Sequence, residues 1–288
     1  MMAIKQRNHS TFHIYCLTFT LHFYNNTMID LDNKVALITG SSDGIGKTTA
    51  ILFSSLGAKV AIVGRDQSKL DKVAAECEAK SPHGYRPVFI RADFLHDEDI
   101  KRTFEETING YCRLDILVNN VGVVNLKSFD DPEAIADYDR VMQTNIRTAV
   151  ILTHLAKPYL LESKGTIVNI SSVDSFKQND REWSYCMSKA AVNAFTQSIA
   201  GLLAPHVRVN AIAPGPVKTG IFKATGDPEQ QWEEKARLMP LGRIAEPIEI
   251  AQLIALLASD SSKNMTGSIV ASDSGYLLTD PYSSGRVA

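Results

Sequence analysis

One alternation constrains this chain more than any other feature. Seven short, nearly continuous apolar runs recur along it: Lys34–Thr39, Lys59–Val63, Pro87–Arg91, Asp115–Val118, Thr166–Ile170, Val207–Ile212 and Ser268–Ala271. Apolar–polar alternation would mark strands with one wet face. Unbroken apolar runs instead suit strands covered on both faces of a parallel sheet. Helical segments separate the runs, and some announce their starts. Asp66 precedes Gln67-Ser68-Lys69, and an acid followed by proline and glutamate stands at Asp131-Pro132-Glu133 and at Asp227-Pro228-Glu229. Strand and helix in regular succession predict an α/β fold, a doubly wound parallel sheet with helices on both faces. No Pro/Gly/Ser-rich linker divides the pattern, so a single domain is expected over 31–280, with a tail at 281–288. In such a fold ligands bind at the carboxyl ends of the strands.

Composition excludes several functions. Lys+Arg 30 against Asp+Glu 32 gives a net charge of -2, which offers no basic field to a nucleic-acid backbone. Cys16, Cys77, Cys112 and Cys186 have no paired CxxC spacing, so neither a zinc site nor a redox dithiol is indicated, and a reducing compartment is the simplest reading. No apolar run approaches the roughly 18 residues of a membrane span. Residues 1–30 stand apart. They lack Asp and Glu up to Ile29, carry Lys5 and Arg7, and hold a mildly apolar stretch broken by Thr18, Thr20 and His22. They read as a disordered leader or a misassigned start with Met28 as the true one. This favours a cytoplasmic protein, and a mitochondrial one if the leader is a transit peptide.

The strand ends carry the chemistry. After the first run comes Thr39-Gly40-Ser41-Ser42-Asp43-Gly44-Ile45-Gly46, opening a helix. Glycines allow a tight turn and close approach to a pyrophosphate, and the helix start supplies N–H donors. A nucleotide-triphosphatase loop would need G-x-x-x-x-G-K-[ST]; here Gly46-Lys47-Thr48 falls one residue late, and the register of a phosphate nest does not tolerate the shift. After the second run, Gly64 leaves no carboxylate at the strand tip. Arg65 can fork onto a ribose 2′-phosphate, while Asp66 is the rival as an NAD-type acid and also the natural N-cap of the next helix. Arg65 therefore favours NADP(H), with NAD(H) left open, and Asp43 near the phosphates argues the other way by repulsion. Asp93 after the third run can accept from an adenine amine, and Asn119-Asn120-Val121-Gly122 after the fourth can let backbone pass under a ribose; turn chemistry explains both equally well.

The fifth run ends in Ser171-Ser172, and the helix that follows carries Tyr185 and Lys189. Four residues apart, they share one helix face at about 6 Å along the axis. A cation at that range favours a phenolate by about 3 kcal/mol at an effective dielectric of about 20, enough to bring a phenol toward acid–base use. Alone, the pair is an ordinary helix surface. Asn145 falls inside an apolar stripe of Tyr138, Val141, Met142, Ile146, Ala149, Leu152 and Ala156. Its amide must be satisfied, by neighbouring backbone or by a held water.

Taken together, Gly40-x-x-x-Gly44-Ile45-Gly46, Asn119-Asn120-x-Gly122, Asn145, Ser172, Tyr185-x-x-x-Lys189 and Pro214-Gly215 resemble the short-chain dehydrogenase/reductase family, in order and spacing, from about Asp32 to Leu278. The resemblance implies a Rossmann-type seven-stranded sheet in the order 3-2-1-4-5-6-7 and a homodimer or homotetramer. It implies hydride transfer between a nicotinamide cofactor and a small carbonyl or alcohol substrate. Ser172 and Tyr185 would hold the substrate oxygen, Tyr185 would pass the proton, Lys189 would lower the phenol's pKa and bind the nicotinamide ribose, and Asn145 would order a water. Val217 and Thr219, after Pro214-Gly215, would touch the nicotinamide amide. Three departures stand out: Val121 where the family usually has alanine, Asp273-Ser274-Gly275 where Asp-Gly-Gly is common, and Asp174 where a small residue is common. Asp174, Lys177, Asp180 and Arg181 make a charged loop beside the expected substrate. The reading is an NADP(H)-dependent carbonyl reductase or alcohol dehydrogenase, with a lid at about 216–240 whose Phe222 and Trp232 form an apolar wall. A non-catalytic dinucleotide-binding scaffold on the same fold is the alternative.

Overall fold

The computed structural model describes residues 29–178, 180–221 and 232–279. Seven parallel strands lie in the order β3-β2-β1-β4-β5-β6-β7: β1 Val35–Ile38, β2 Lys59–Gly64, β3 Val88–Arg91, β4 Ile116–Asn119, β5 Thr166–Ile170, β6 Arg208–Pro214 and β7 Ile269–Ser272. Every strand is one of the seven apolar runs, displaced by two residues at most. The connecting helices are α1 Gly44–Ser55, α2 Gln67–Lys80, α3 Asp97–Tyr111, α4 Ala134–Met142, α5 Thr148–Ser163, α6 Trp183–Leu203, a short α7 Trp232–Arg237, and α8 Pro247–Ala258.

Successive strand residues face opposite sides of the sheet, and each side has its own core. Ala36 and Ile38 of β1, with Val60 and Ile62 of β2, pack under α1, α2 and α8 through Phe53, Leu70 and Ile254. Val35, Leu37, Ala61 and Val63 face the other way, onto Phe104 of α3, Leu152 and Leu160 of α5, and Leu203 of α6. All of these side chains are nearly inaccessible. At roughly 25 cal/mol per Å² of buried apolar area, these two layers are the main favourable term holding the helices against the sheet.

Local signals set the helix starts. Asp66 caps α2, its Oδ1 accepting from the Lys69 N–H at 3.1 Å. Asp131 accepts from the Glu133 N–H at 2.8 Å, but α4 begins only at Ala134, because that bond closes a turn ahead of the helix rather than its first turn. Glu246 and Glu249 form a capping box around Pro247 at the start of α8. Between α4 and α5 the chain makes a π-helical turn over Gln143–Arg147. The Asp227-Pro228-Glu229 start and the leader up to Met28 lie outside the described residues, as do Phe222 and the centre of the expected lid. Among the described residues Cys77, Cys112 and Cys186 form no disulfide, no helix is long and apolar enough to cross a membrane, and no cluster of His, Cys, Asp or Glu could hold a metal ion.

Candidate active site

A cavity of about 950 Å³ opens along the carboxyl edge of the sheet, from the β1–α1 turn to the loop after β5. Its first wall is the glycine turn. Gly40 sits at φ 65, in the left-handed region that favours glycine. Thr39 and Asn120 tie this turn to the end of β4. The Thr39 hydroxyl accepts from the N–H groups of Asn120 and Val121 at 2.9 and 3.0 Å, and the Asn120 amide donates to the carbonyls of Thr39 and Gly40 at 2.8 and 3.2 Å. Gly46 lies behind the wall, where a Cβ would fall 2.3 Å from the Gly40 carbonyl oxygen. Gly40, Ser42, Asp43, Gly44 and Ile45 line the cavity, and Gly46 does not.

Beyond β2 the cavity is lined by Gly64, Arg65, Asp66 and Lys69. One oxygen of the Asp66 carboxylate accepts the cap N–H, and the Arg65 side chain is exposed at the rim. Asp43 is ion-paired, its Oδ2 2.7 Å from Lys69 Nζ. The repulsion that Asp43 was expected to offer a phosphate is therefore offset by a lysine one turn into α2. Lys69 carries no local sequence signal for this role, because the pairing joins residues 26 apart. Asp93 also lines the cavity, its Oδ1 accepting from the Leu95 N–H at 3.2 Å.

The reactive end gathers Ser172, Tyr185 and Lys189, with Asn120, Val121 and Gly122 on one side and Pro214, Gly215, Val217 and Thr219 on the other. Tyr185 and Lys189 sit on the first turns of α6, 9% and 3% exposed, with Lys189 Nζ 5.6 Å from the Tyr185 ring centre. Lys189 Nζ donates to the Ile170 carbonyl at the end of β5, at 2.8 Å. A Cβ on Gly122 would lie 3.3 Å from that ammonium, a tight contact that the glycine avoids. Ser172 stands at the strand end and caps the one-turn helix Val173–Ser175, accepting from the Asp174 N–H at 3.1 Å.

Burial governs the charges here. It pushes the Lys189 ammonium down to about 8, against the opposing field of the Asp174 carboxylate. Burial also pushes the Tyr185 phenol up, and Asp174 adds to the rise, while the nearby Ser172 hydroxyl opposes it by favouring the phenolate. The spacing alone predicted the opposite direction for the phenol. A helix offset reports distance but not desolvation, and in the cofactor-free protein desolvation is larger. Asp174 is itself pushed up by burial, with Ser172 and Lys189 opposing.

Asn145 occupies the π-helical turn. Its Oδ1 accepts from the Val123 N–H at 2.8 Å, and its Nδ2 donates to the Val123 carbonyl and the Ser188 hydroxyl, both at 2.9 Å. The amide is thus engaged by protein and does not line the cavity. Of the described residues in the segment where a lid is expected, Ile221, Leu238 and Met239 line the cavity, whereas Trp232 lines a smaller neighbouring cleft. Glu182 and Tyr276 complete the substrate side and were not singled out from sequence. Tyr276 is carried in by Asp273-Ser274-Gly275: Ser274 takes φ 53, and Asp273 accepts from the N–H groups of Gly275 and Leu277.

A family model described as enoyl-(acyl carrier protein) reductase matches residues 40–277. This chain belongs to the short-chain dehydrogenase/reductase family. It is 35% identical over 257 residues to the 3-oxoacyl-[acyl-carrier-protein] reductase FabG of Thermotoga maritima, covering 86% of this chain and 99% of that protein. It is 32% identical to an NADPH-dependent aldehyde reductase of Arabidopsis thaliana, over 86% of this chain and 88% of the other. A short-chain dehydrogenase/reductase of unknown function from Caenorhabditis elegans, solved with cofactor, superposes with a TM-score of 0.81 at 32% identity, covering 87% of this chain and 97% of that one. The short-chain dehydrogenase/reductase fold expected from the motifs is therefore the fold of this chain, and the chain is an oxidoreductase of that family. The triphosphatase reading of the glycine turn falls with this assignment.

Proposed function

We propose that this oxidoreductase moves a hydride between NADP(H) and a carbonyl or secondary alcohol. One observation carries the reading: Tyr185 and Lys189 on a single turn of α6 and Ser172 at the tip of β5 share one cavity with the glycine turn. The residues fit a dinucleotide. The turn would hold the pyrophosphate on the α1 N–H groups, and the open passage at Gly122 beside Lys189 Nζ leaves room for a ribose. When bound, the cofactor supplies or accepts the hydride. Ser172 steadies the substrate oxygen, and Tyr185 gives that oxygen its proton in reduction and takes it back in oxidation. Lys189, anchored by the Ile170 carbonyl, keeps positive charge beside the phenol as it ionises. Asn145 acts as a positioning residue, bracing the chain at Val123 against α6 through Ser188.

The preference for NADP(H) rests on this chain's own charges. Arg65 and Lys69 line the cavity where a 2′-phosphate would lie, and Asp66 is held by its cap. A homodimer or homotetramer in a reducing compartment, the cytoplasm, completes the reading. The test is the change in reduced-nicotinamide absorbance with purified protein across a panel of ketones, aldehydes and alcohols. Turnover with NADPH exceeding that with NADH is expected. Cofactor binding without turnover of any substrate would leave a scaffold protein instead.

A further inference from the structure

Asp174 is hard to account for as structure alone. The one-turn helix after β5 is capped by Ser172 Oγ accepting the Asp174 N–H at 3.1 Å, and any residue but proline at 174 supplies that N–H. The carboxylate is not needed for the cap, yet it is half-buried at the wall of the cavity, beside Ser172 and Tyr185. Its Oδ2 accepts the Ser172 hydroxyl proton at 2.8 Å. A hydroxyl has one proton to give. While Asp174 holds it, Ser172 cannot donate to a substrate oxygen. Of the groups that face the carboxylate, Lys189 offsets part of its charge from its place on the Ile170 carbonyl, while Tyr185 and Tyr276 both feel the negative charge. Lys177 of the same loop is turned to Thr279 and the face of Tyr276.

We propose that Asp174 is a specificity-determining residue that selects carbonyl substrates bearing a hydroxyl on the carbon next to the carbonyl. This inference rests on the oxidoreductase reading above. A plain ketone that recruits the Ser172 proton strips a half-buried carboxylate of its hydroxyl donor. An α-hydroxy ketone restores one, because oxygens on adjacent carbons lie about as far apart as hydrogen-bond partners do, near 2.8 Å. Its carbonyl oxygen sits between Ser172 and Tyr185, and its hydroxyl donates to Asp174. Hydride from the reduced nicotinamide adds to the carbonyl carbon, the Tyr185 proton goes to the oxygen, and the products are a vicinal diol and oxidised nicotinamide. The phenolate regains its proton from solvent.

The test uses isosteric pairs with NADPH: hydroxyacetone against butanone, and α-hydroxyacetophenone against propiophenone. Losing a hydrogen bond to a charged group costs about tenfold or more, so the wild-type enzyme should favour the hydroxylated member by at least about that factor in kcat/KM. Asp174→Val should bring the ratio near one, mainly by raising activity on the plain ketone, and Asp174→Asn should keep part of the preference. Calorimetry of the NADP+ complex gives a readout apart from turnover: styrene glycol should bind more tightly than α-ethylbenzyl alcohol in the wild type and equally in Asp174→Val. Equal kcat/KM for the members of each pair in the wild type, or a preference that survives Asp174→Val, overturns the inference and leaves the oxidoreductase reading standing. Cofactor binding with turnover of other carbonyls but of neither pair also overturns it. Failure to bind or oxidise NADPH with any carbonyl would instead sink the reading beneath it.

Discussion

A buried ammonium should cost this protein stability in a way that pH can expose. Lys189 falls from 10.5 to about 8 on folding because the folded chain removes it from water. Below that value it is charged in both states, and the folded state carries the penalty. At about 1.4 kcal/mol per pKa unit, the shift amounts to about 3 kcal/mol near pH 7. Between about 8 and 10.5 the unfolded chain still binds the proton that the folded chain has released, so the penalty shrinks as pH rises through that window. From about pH 7 to about pH 9.5 wild-type stability should gain about 2 kcal/mol relative to Lys189→Met, which has no proton to lose. Packing differences and the lost bond to the Ile170 carbonyl shift the offset between the two proteins but not this slope. Urea unfolding of both, without cofactor, at several pH values in that range measures it. Parallel pH profiles would refute the argument, and so would a wild type that loses ground to the variant as pH rises.

Two further outcomes follow from the same geometry. Gly46→Ala places a Cβ 2.3 Å from the Gly40 carbonyl oxygen and 2.5 Å from the Asn120 amide, so the turn must open; cofactor affinity by fluorescence titration should drop at least tenfold, by about 1.4 kcal/mol or more, with the melting temperature also lower. Arg65→Ala and Lys69→Ala should each weaken NADPH binding by about 1–2 kcal/mol while changing NADH much less, measured by the same titration. An equal loss for both cofactors would return the ribose to Asp66.

Much of the fold was legible because its cause is local and repeated. A strand covered on both faces has to be apolar throughout, so β1, β2, β4, β5 and β6 could be found without knowing their neighbours, while the partly exposed edge strands β3 and β7 show as short β-branched runs between helical stretches. The glycine turn and the Tyr185–Lys189 pair were legible for a related reason: each is a short-range spacing whose chemistry needs that spacing. The remainder depends on what the chain brings together across the sheet. Lys69 reaches back 26 residues to Asp43, and Tyr276 enters from beyond β7 on a left-handed Ser274; no local pattern encodes either. The direction of the Tyr185 shift was hidden because burial, unlike helix spacing, belongs to the assembled fold. Asn145 showed itself as a polar residue in an apolar stripe, but that its partners are Val123 and Ser188 required the π-helical turn to be seen.

The central claim is that the Tyr185 hydroxyl supplies the proton, with Lys189 supporting its ionisation and the rest of the site placing the reactants. Replacing it by phenylalanine and measuring NADPH affinity beside single-turnover reduction of a carbonyl substrate addresses that claim directly. The account predicts cofactor binding within about twofold of wild type and reduction slowed by about a hundredfold to ten-thousandfold. Reduction at an undiminished rate, or equal losses in binding and rate, would contradict it.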